Sequence, residues 1–322
     1  MRAVVYRGAG GTEVIGIEER PVPIPTQGQV RIRVRAAGLN RADVIQRRGG
    51  YPAPPGWPAD IPGLEYAGEV DSLGAGAGRW VPGDRVMGLV GGGAQAEYLV
   101  AHEDELIAIP SRLTDREAAA IPEAFLTAYD ALVVRGRVKA GERVLIHAVG
   151  SGVSTAAVQL ADWLGATVIG VSRTSAKLEQ ARGLGLTESV HLAADGFWAR
   201  LAAPVDVILD YLGGPALAEN LGALRSRGRL VLLGTLQGGE ATTVNVGLIL
   251  RSRLEIVGTV MRARPHEERV PLVREFVERV WPELASGRLA PVVGAAFPMD
   301  AVGAAHDAME ANRVFGKVVL EW

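Results

Sequence analysis

Apolar positions recur along this chain with two different periods. Val30, Ile32 and Val34 alternate with Arg31 and Arg33, the spacing of an antiparallel strand that turns one face to a core and one to water. Gly63, Gly68, Gly74, Gly76, Gly78 and the turn Pro82-Gly83-Asp84 interrupt residues 1–120 at short intervals, which predicts a compact β-rich domain with a bent, partly closed sheet. Asp84 reads there as a turn residue. From about residue 123 the pattern predicts strands near 143–148, 167–171, 205–209, 229–233 and 254–258, with a shorter strand around 189–192, separated by helical or loop segments. That alternation predicts a six-stranded parallel sheet, and hence a doubly wound α/β domain. A helix over about 270–284, a strand over 292–297, a helix over 301–312 and a strand over 317–321 follow, a tail expected to rejoin the first domain. No repeat, low-complexity tract or polar linker separates the two regions, so two closely apposed domains with a ligand cleft between them are expected.

The most informative segment is 143–173. Val144, Leu145 and Ile146 form a continuous apolar run, Gly150 and Gly152 follow where the backbone must turn, and Val153, Ala156, Ala157, Leu160, Ala161 and Leu164 repeat at helical spacing. Strand, glycine turn and helix in that order aim helix N-terminal amides at the turn, a binding site for a dinucleotide pyrophosphate. The third glycine position holds Ser154, which is expected to crowd the helix against the strand. The next strand ends in Ser172 and Arg173, where an NAD-selective site carries an acid for the ribose hydroxyls. A guanidinium and a hydroxyl suit the adenosine 2′-phosphate instead, and one charge-assisted hydrogen bond is worth ~1.5–3 kcal/mol. NADPH is therefore the expected cofactor. Lys177, one of only three lysines with Lys139 and Lys317, stands either beside that phosphate or on a solvated helix face.

Composition narrows the function classes. The chain has 322 residues, 48% hydrophobic and 22% charged, enough for two globular domains and too well mixed for disorder. A formal net charge of −2 with interspersed signs offers no basic stripe for nucleic acid or an anionic membrane surface. No apolar run approaches a membrane span and no signal segment follows Met1, so a cytoplasmic protein with small-molecule partners is expected. The absence of cysteine excludes disulfides, thiolate nucleophiles and sulfur-ligated zinc, and His102, His147, His191, His266 and His306 lack paired ligand spacing. The sequence thus predicts no metal.

Several motifs taken together carry a family resemblance: Gly38-Leu39-Asn40-Arg41-Ala42-Asp43, Gly63-Leu64-Glu65-Tyr66-Ala67-Gly68, Pro82-Gly83-Asp84-Arg85-Val86, Ala119-Ala120-Ile121-Pro122-Glu123-Ala124 and Gly316-Lys317-Val318-Val319-Leu320. Over nearly its whole length the chain resembles the medium-chain dehydrogenase/reductase superfamily. Within it, the resemblance is to the zinc-free NADPH quinone oxidoreductases of the zeta-crystallin type, the tumour-suppressor-inducible enzyme among them. Zinc alcohol dehydrogenases of the superfamily place a cysteine near Asn40 and a histidine at Leu64, and both are missing here. The resemblance implies a GroES-like catalytic domain from 1–122 and 263–322, a Rossmann NADPH-binding domain from 123–262, and a homodimer or homotetramer. It implies cofactor contacts at Asn40, Ala42, Asp43 and Thr127, at the turn Gly150, Ser151, Gly152 and Val153, and at Ser172, Arg173 and Lys177. The later contacts it implies are Gly234, Thr235, Leu236, Val260, Met261, Arg262, Phe315, Gly316 and Lys317. The family's tyrosine near the adenine ribose is replaced by His191-Leu192, which removes one expected phosphate contact. Glu65 is expected to anchor a turn.

Reduction of a quinone or enone needs a hydride from the nicotinamide and a hydrogen-bond donor for the oxygen that gains charge. Tyr51, in the loop Gly49-Gly50-Tyr51-Pro52-Ala53-Pro54-Pro55, is the candidate, its ring to stack on a flat acceptor and its hydroxyl to donate; the alternative is a tyrosine that only covers loop backbone. Ser151 is by resemblance a second pocket residue, or else belongs only to the phosphate turn. The expected activity is NADPH-dependent quinone reduction without metal. Reduction of an alkenal or enone double bond, and NADPH binding without catalysis, are the alternatives.

Overall fold

The computed structural model describes residues 1–192, 201–241 and 243–322, which divide into two compact units, Met1–Leu126 with Met261–Trp322, and Thr127–Val260. In the first unit, strands β1 (Arg2–Tyr6) and β2 (Ile15–Glu19) form an antiparallel pair. A larger sheet is built on β3 (Gln29–Leu39), which pairs with β4 (Glu65–Leu73) and β6 (Tyr98–His102), while β4 continues to β5 (Arg85–Leu89) and β7 (Ile107–Ala108). The alternation read from the sequence is obeyed: Val30, Ile32 and Val34 are buried and Arg31, Arg33 and Arg35 point away from the core. Burying each such aliphatic side chain stabilises the fold by about 1.5–3 kcal/mol. Asp84 accepts the Val81 amide at 2.9 Å and so closes its turn. Helices α1 (Arg41–Arg47), α2 (Asp115–Ala118) and α3 (Pro122–Tyr129) follow the strands, and α3 runs on as π-helical turns over Asp130–Arg135.

The second unit is a parallel sheet of β8 (Arg143–Ile146), β9 (Thr167–Ser172), β10 (Glu188–His191), β11 (Val205–Asp210), β12 (Leu224–Leu232) and β13 (Glu255–Gly258). Its spatial order is β10-β9-β8-β11-β12-β13, the 3-2-1-4-5-6 order of a doubly wound dinucleotide fold. Among the described residues its helices are α4 (Gly152–Trp163), α5 (Ser175–Arg182), α6 (Leu217–Ala223) and α7 (Val246–Ser252). The centres of β8 (residues 144–146) and β11 (residues 207–209) are buried on both faces, which is why they read as short continuous apolar runs rather than alternating ones.

The chain then returns to the first unit through α8 (His266–Arg279), α9 (Trp281–Ser286), β14 (Val293–Pro298), α10 (Val302–Glu310) and β15 (Lys317–Glu321). The single helix expected over 270–284 is two: it starts earlier, at His266, and breaks at Val280, because Pro282 lacks the amide a continuous helix would need there. β15 pairs antiparallel with β3, and β14 lies parallel beside β15, so the tail completes the first sheet.

Candidate functional site

In the second unit the residues expected at the phosphate turn and around Ser172 and Gly234 lie at the carboxyl ends of the parallel strands. β8 lies between β9 and β11, where the strand order reverses and where open α/β sheets bind their ligands. The turn after β8 is tight: Ala148 takes φ +51 and Gly150 φ +111, left-handed conformations of which only the second is free for its residue type. Ser151 caps α4, accepting the Ser154 amide at 3.2 Å and donating its own proton to Ser154 Oγ at 2.8 Å. The amides of Gly152 and Val153, first in the helix, have no acceptor within it and carry the positive end of its dipole, a donor set that fits phosphate. The crowding expected of Ser154 is resolved by hydrogen bonding, since its buried hydroxyl donates to the His147 carbonyl at 3.0 Å and ties the helix start to the strand end. Beneath the turn the buried His147 imidazole meets Asn220 Oδ1 at 2.7 Å, and burial pushes it toward its neutral form.

Ser172 ends β9 and its hydroxyl accepts the Thr174 amide at 3.1 Å; Arg173 is exposed just beyond it, and Lys177 is the third residue of α5. No carboxylate stands between residues 172 and 178. His191, opposite Ser172 in the β9–β10 register, meets the Arg173 carbonyl through Nε2 at 3.1 Å, so the residue that departs from the family pattern still borders this corner. Gly234, Thr235 and Leu236 follow β12, with the Leu236 amide on the Tyr211 carbonyl at 3.0 Å. Thr127 is buried on α3, and Val260 is half exposed at the end of the unit.

The first unit holds two further groups. Asn40, Glu65 and Lys317 form a closed, buried polar cluster at the ends of β3, β4 and β15. The Lys317 ammonium contacts Glu65 Oε1, Asn40 Oδ1 at 2.6 Å and the Leu39 carbonyl at 3.2 Å; Asn40 Nδ2 donates to the same carboxylate oxygen at 3.0 Å; and Glu65 Oε2 accepts the Glu123 amide at 2.8 Å. Glu65 therefore does not anchor a turn, as expected from the sequence, but joins two strands and the start of α3. Its donors are an ammonium, an amide nitrogen and a backbone N–H, and with Leu64 beside it these residues do not make a zinc site. Asp43, in α1 next to Ala42, accepts the amides of Asn40 at 2.7 Å and Gly63 at 3.1 Å, and burial pushes its carboxyl up to about 6.

The second group is Tyr51 with Arg262. The guanidinium lies 5.0 Å from the Tyr51 ring centroid and donates to the carbonyls of Tyr51 and Gly91, both at 2.8 Å, and to Gln46 Oε1 at 2.7 Å. A buried arginine thus fixes the Tyr51 loop from beneath. Burial also raises the phenol above its ordinary range, so it stays protonated and able to donate. Met261 is buried beside Arg262, and Phe315 precedes Gly316, whose φ of +90 brings its Cα so near Val292 that a Cβ would meet that carbonyl oxygen at 2.3 Å.

A model of the alcohol dehydrogenase GroES-like domain matches residues 26–111, and one described as zinc-binding dehydrogenase matches 152–279. The chain is 31% identical over 329 residues to the quinone oxidoreductase of Lama guanicoe, covering 99% of this chain and 97% of that one. Among solved structures it resembles an NAD-dependent alcohol dehydrogenase (33% identity, TM-score 0.86, all of both chains). It also resembles the Escherichia coli quinone oxidoreductase complexed with NADPH (26% identity, TM-score 0.90, all of both chains). The chain belongs to the medium-chain dehydrogenase/reductase superfamily, a family of oxidoreductases, with its GroES-like and Rossmann units.

Proposed function

We propose that the protein is an NADPH-dependent quinone oxidoreductase that works without a metal at Asn40 and Glu65. The observation that carries this reading is the end of β9, where Ser172 and Arg173 stand with no carboxylate near them in sequence, beside a phosphate-binding turn. Quinone oxidoreductases among the relatives support the acceptor class, one of them solved with NADPH. In this reading the amides of Gly152 and Val153, with Gly150 and Ser151, hold the pyrophosphate, and Ser172, Arg173 and Lys177 hold the adenosine phosphate. Asn40, Ala42, Asp43, Thr127, Gly234, Thr235, Leu236, Val260, Met261, Arg262, Phe315, Gly316 and Lys317 are assigned to the rest of the cofactor. For Asn40, Arg262 and Lys317 that role is through position, because their side chains already satisfy one another or the Tyr51 loop.

A bound nicotinamide would supply the hydride. The chain's own contribution is to orient and to donate: Tyr51 presents a protonated phenol to the acceptor oxygen, and Arg262 holds that loop in place. We assign Ser151 to the phosphate turn, since capping engages both its lone pair and its proton. A homodimer joined at the edge strand β13 would cover that edge and the exposed Ile256 on it.

The test is oxidation of NADPH and of NADH by purified protein with 1,2-naphthoquinone, 9,10-phenanthrenequinone and a 2-alkenal. Quinone turnover that prefers NADPH supports the proposal. Reduction of the alkenal double bond without quinone turnover would replace the acceptor, and tight NADPH binding without any turnover would remove the catalytic reading.

A further inference from the structure

His102 ends β6, Asp104 lies two residues on, and His266 opens α8, so the fold brings together side chains that the spacing of histidines along the chain did not pair. One ligand atom from each lies within 4.8 Å of the others, and the two imidazole rings are 4.2 Å apart between centroids. We propose that His102, Asp104 and His266 bind a first-row transition-metal dication, zinc foremost, as a structural site of the first unit.

Three features support a metal over a chance cluster. His266 Nδ1 meets Glu105 Oε1 at 2.5 Å, and Glu105 is buried and held in turn by Arg269 at 2.9 Å. A carboxylate behind Nδ1 fixes the tautomer and leaves Nε2 unprotonated, the arrangement that backs metal-bound histidines. Asp104 is paired with Arg79 and Arg274, and both use Oδ1, whereas Oδ2 faces His102 Nδ1 at 3.8 Å. That nitrogen is shielded from water and has no hydrogen-bond partner. Gly28 makes room for the ring: a Cβ there would stand 2.9 Å from His102 Nε2.

Two nitrogens and one carboxylate oxygen select zinc, cobalt or nickel over magnesium or calcium, and a fourth position is left for water. Zinc ligands stand roughly 3.3 Å apart around a tetrahedron, so the three, within 4.8 Å of one another, must draw in by up to about 1.5 Å. Side chains that are 35%, 26% and 42% exposed have freedom to do so. Arg79 and Arg274 oppose added positive charge and weaken the binding. The site lies where β6 pairs with the start of β3, whereas Asn40 follows the far end of that strand, so the metal would clamp α8 to the sheet without entering the redox chemistry.

The experiment uses chelator-stripped, dialysed full-length protein titrated with Zn2+ by calorimetry, and with Co2+ followed by its visible ligand-field bands. Expected are one ion per chain, a thermal midpoint raised by Zn2+, and at least a tenfold loss of affinity in His102→Gln and in the near-isosteric Asp104→Asn. His191→Ala, at an unrelated histidine, serves as the control and should bind as wild type does. If His266→Ala fails to fold, the first two variants still decide the matter. Absence of stoichiometric binding, or equal affinity in His102→Gln, Asp104→Asn and wild type, would overturn the proposal.

Discussion

Arg173, Lys317 and Asp43 each carry one charge whose surroundings determine its effect. Arg173 is exposed at the end of β9, so its replacement should leave stability nearly unchanged and act on the cofactor. Arg173→Glu is expected to weaken NADPH by roughly 10–100-fold, the equivalent of one charge-assisted hydrogen bond, and to change NADH far less; fluorescence titration of both nucleotides measures it. Lys317 and Glu65 are both buried, so Lys317→Met leaves a carboxylate without its cation and should cost about 3–5 kcal/mol in urea unfolding. Glu65→Gln in the same chain should recover part of that loss. Asp43 has a native pKa of about 6, above that of an unfolded aspartate, so the unfolded chain releases this proton first. Native stability relative to Asp43→Asn should therefore fall as pH rises from about 4 to about 6, by roughly 3 kcal/mol, and stay level above that. Chemical denaturation of both proteins from pH 4 to 7 checks the sign.

At the scale of elements, α4 depends on its first turn. Ser151→Ala removes the cap that receives the Ser154 amide and should cost about 0.5–2 kcal/mol in unfolding free energy, with weaker nucleotide binding as the turn loosens. The strands of the second unit were legible because the centres of β8, β9 and β11, residues 144–146, 168–171 and 207–209, are buried on both faces, and burial of that kind leaves short apolar runs. Helix ends were less legible. Residues 266–286 keep one helical periodicity across a break that only Pro282 announces, and α8 tolerates Pro271 in its second turn. The turn after β8 and the end of β9 were readable because strand, turn and helix are contiguous in sequence. The Glu65–Lys317 pair, the Arg262–Tyr51 contact and the His102–His266 pair were not, because each joins residues that only the tertiary fold brings together.

For the whole molecule, two matters are decided by surfaces rather than by single residues. The edge strand β13 exposes Ile256, and in the proposed dimer a second copy pairing along β13 would cover that edge. If the proposed dimer forms at β13, Ile256→Lys is expected to shift it to monomer in sedimentation velocity; an unchanged sedimentation coefficient would contradict that interface. The cofactor and acceptor together define the central claim, and solved relatives include both an NAD-dependent alcohol dehydrogenase and a quinone oxidoreductase complexed with NADPH. The most direct measurement is the ratio of kcat/KM for NADPH to that for NADH with 9,10-phenanthrenequinone, in wild type and in Arg173→Glu. A wild-type ratio well above ten that collapses in the variant is the predicted result. A ratio near one in both, or no quinone-dependent oxidation of either nucleotide, would contradict the account.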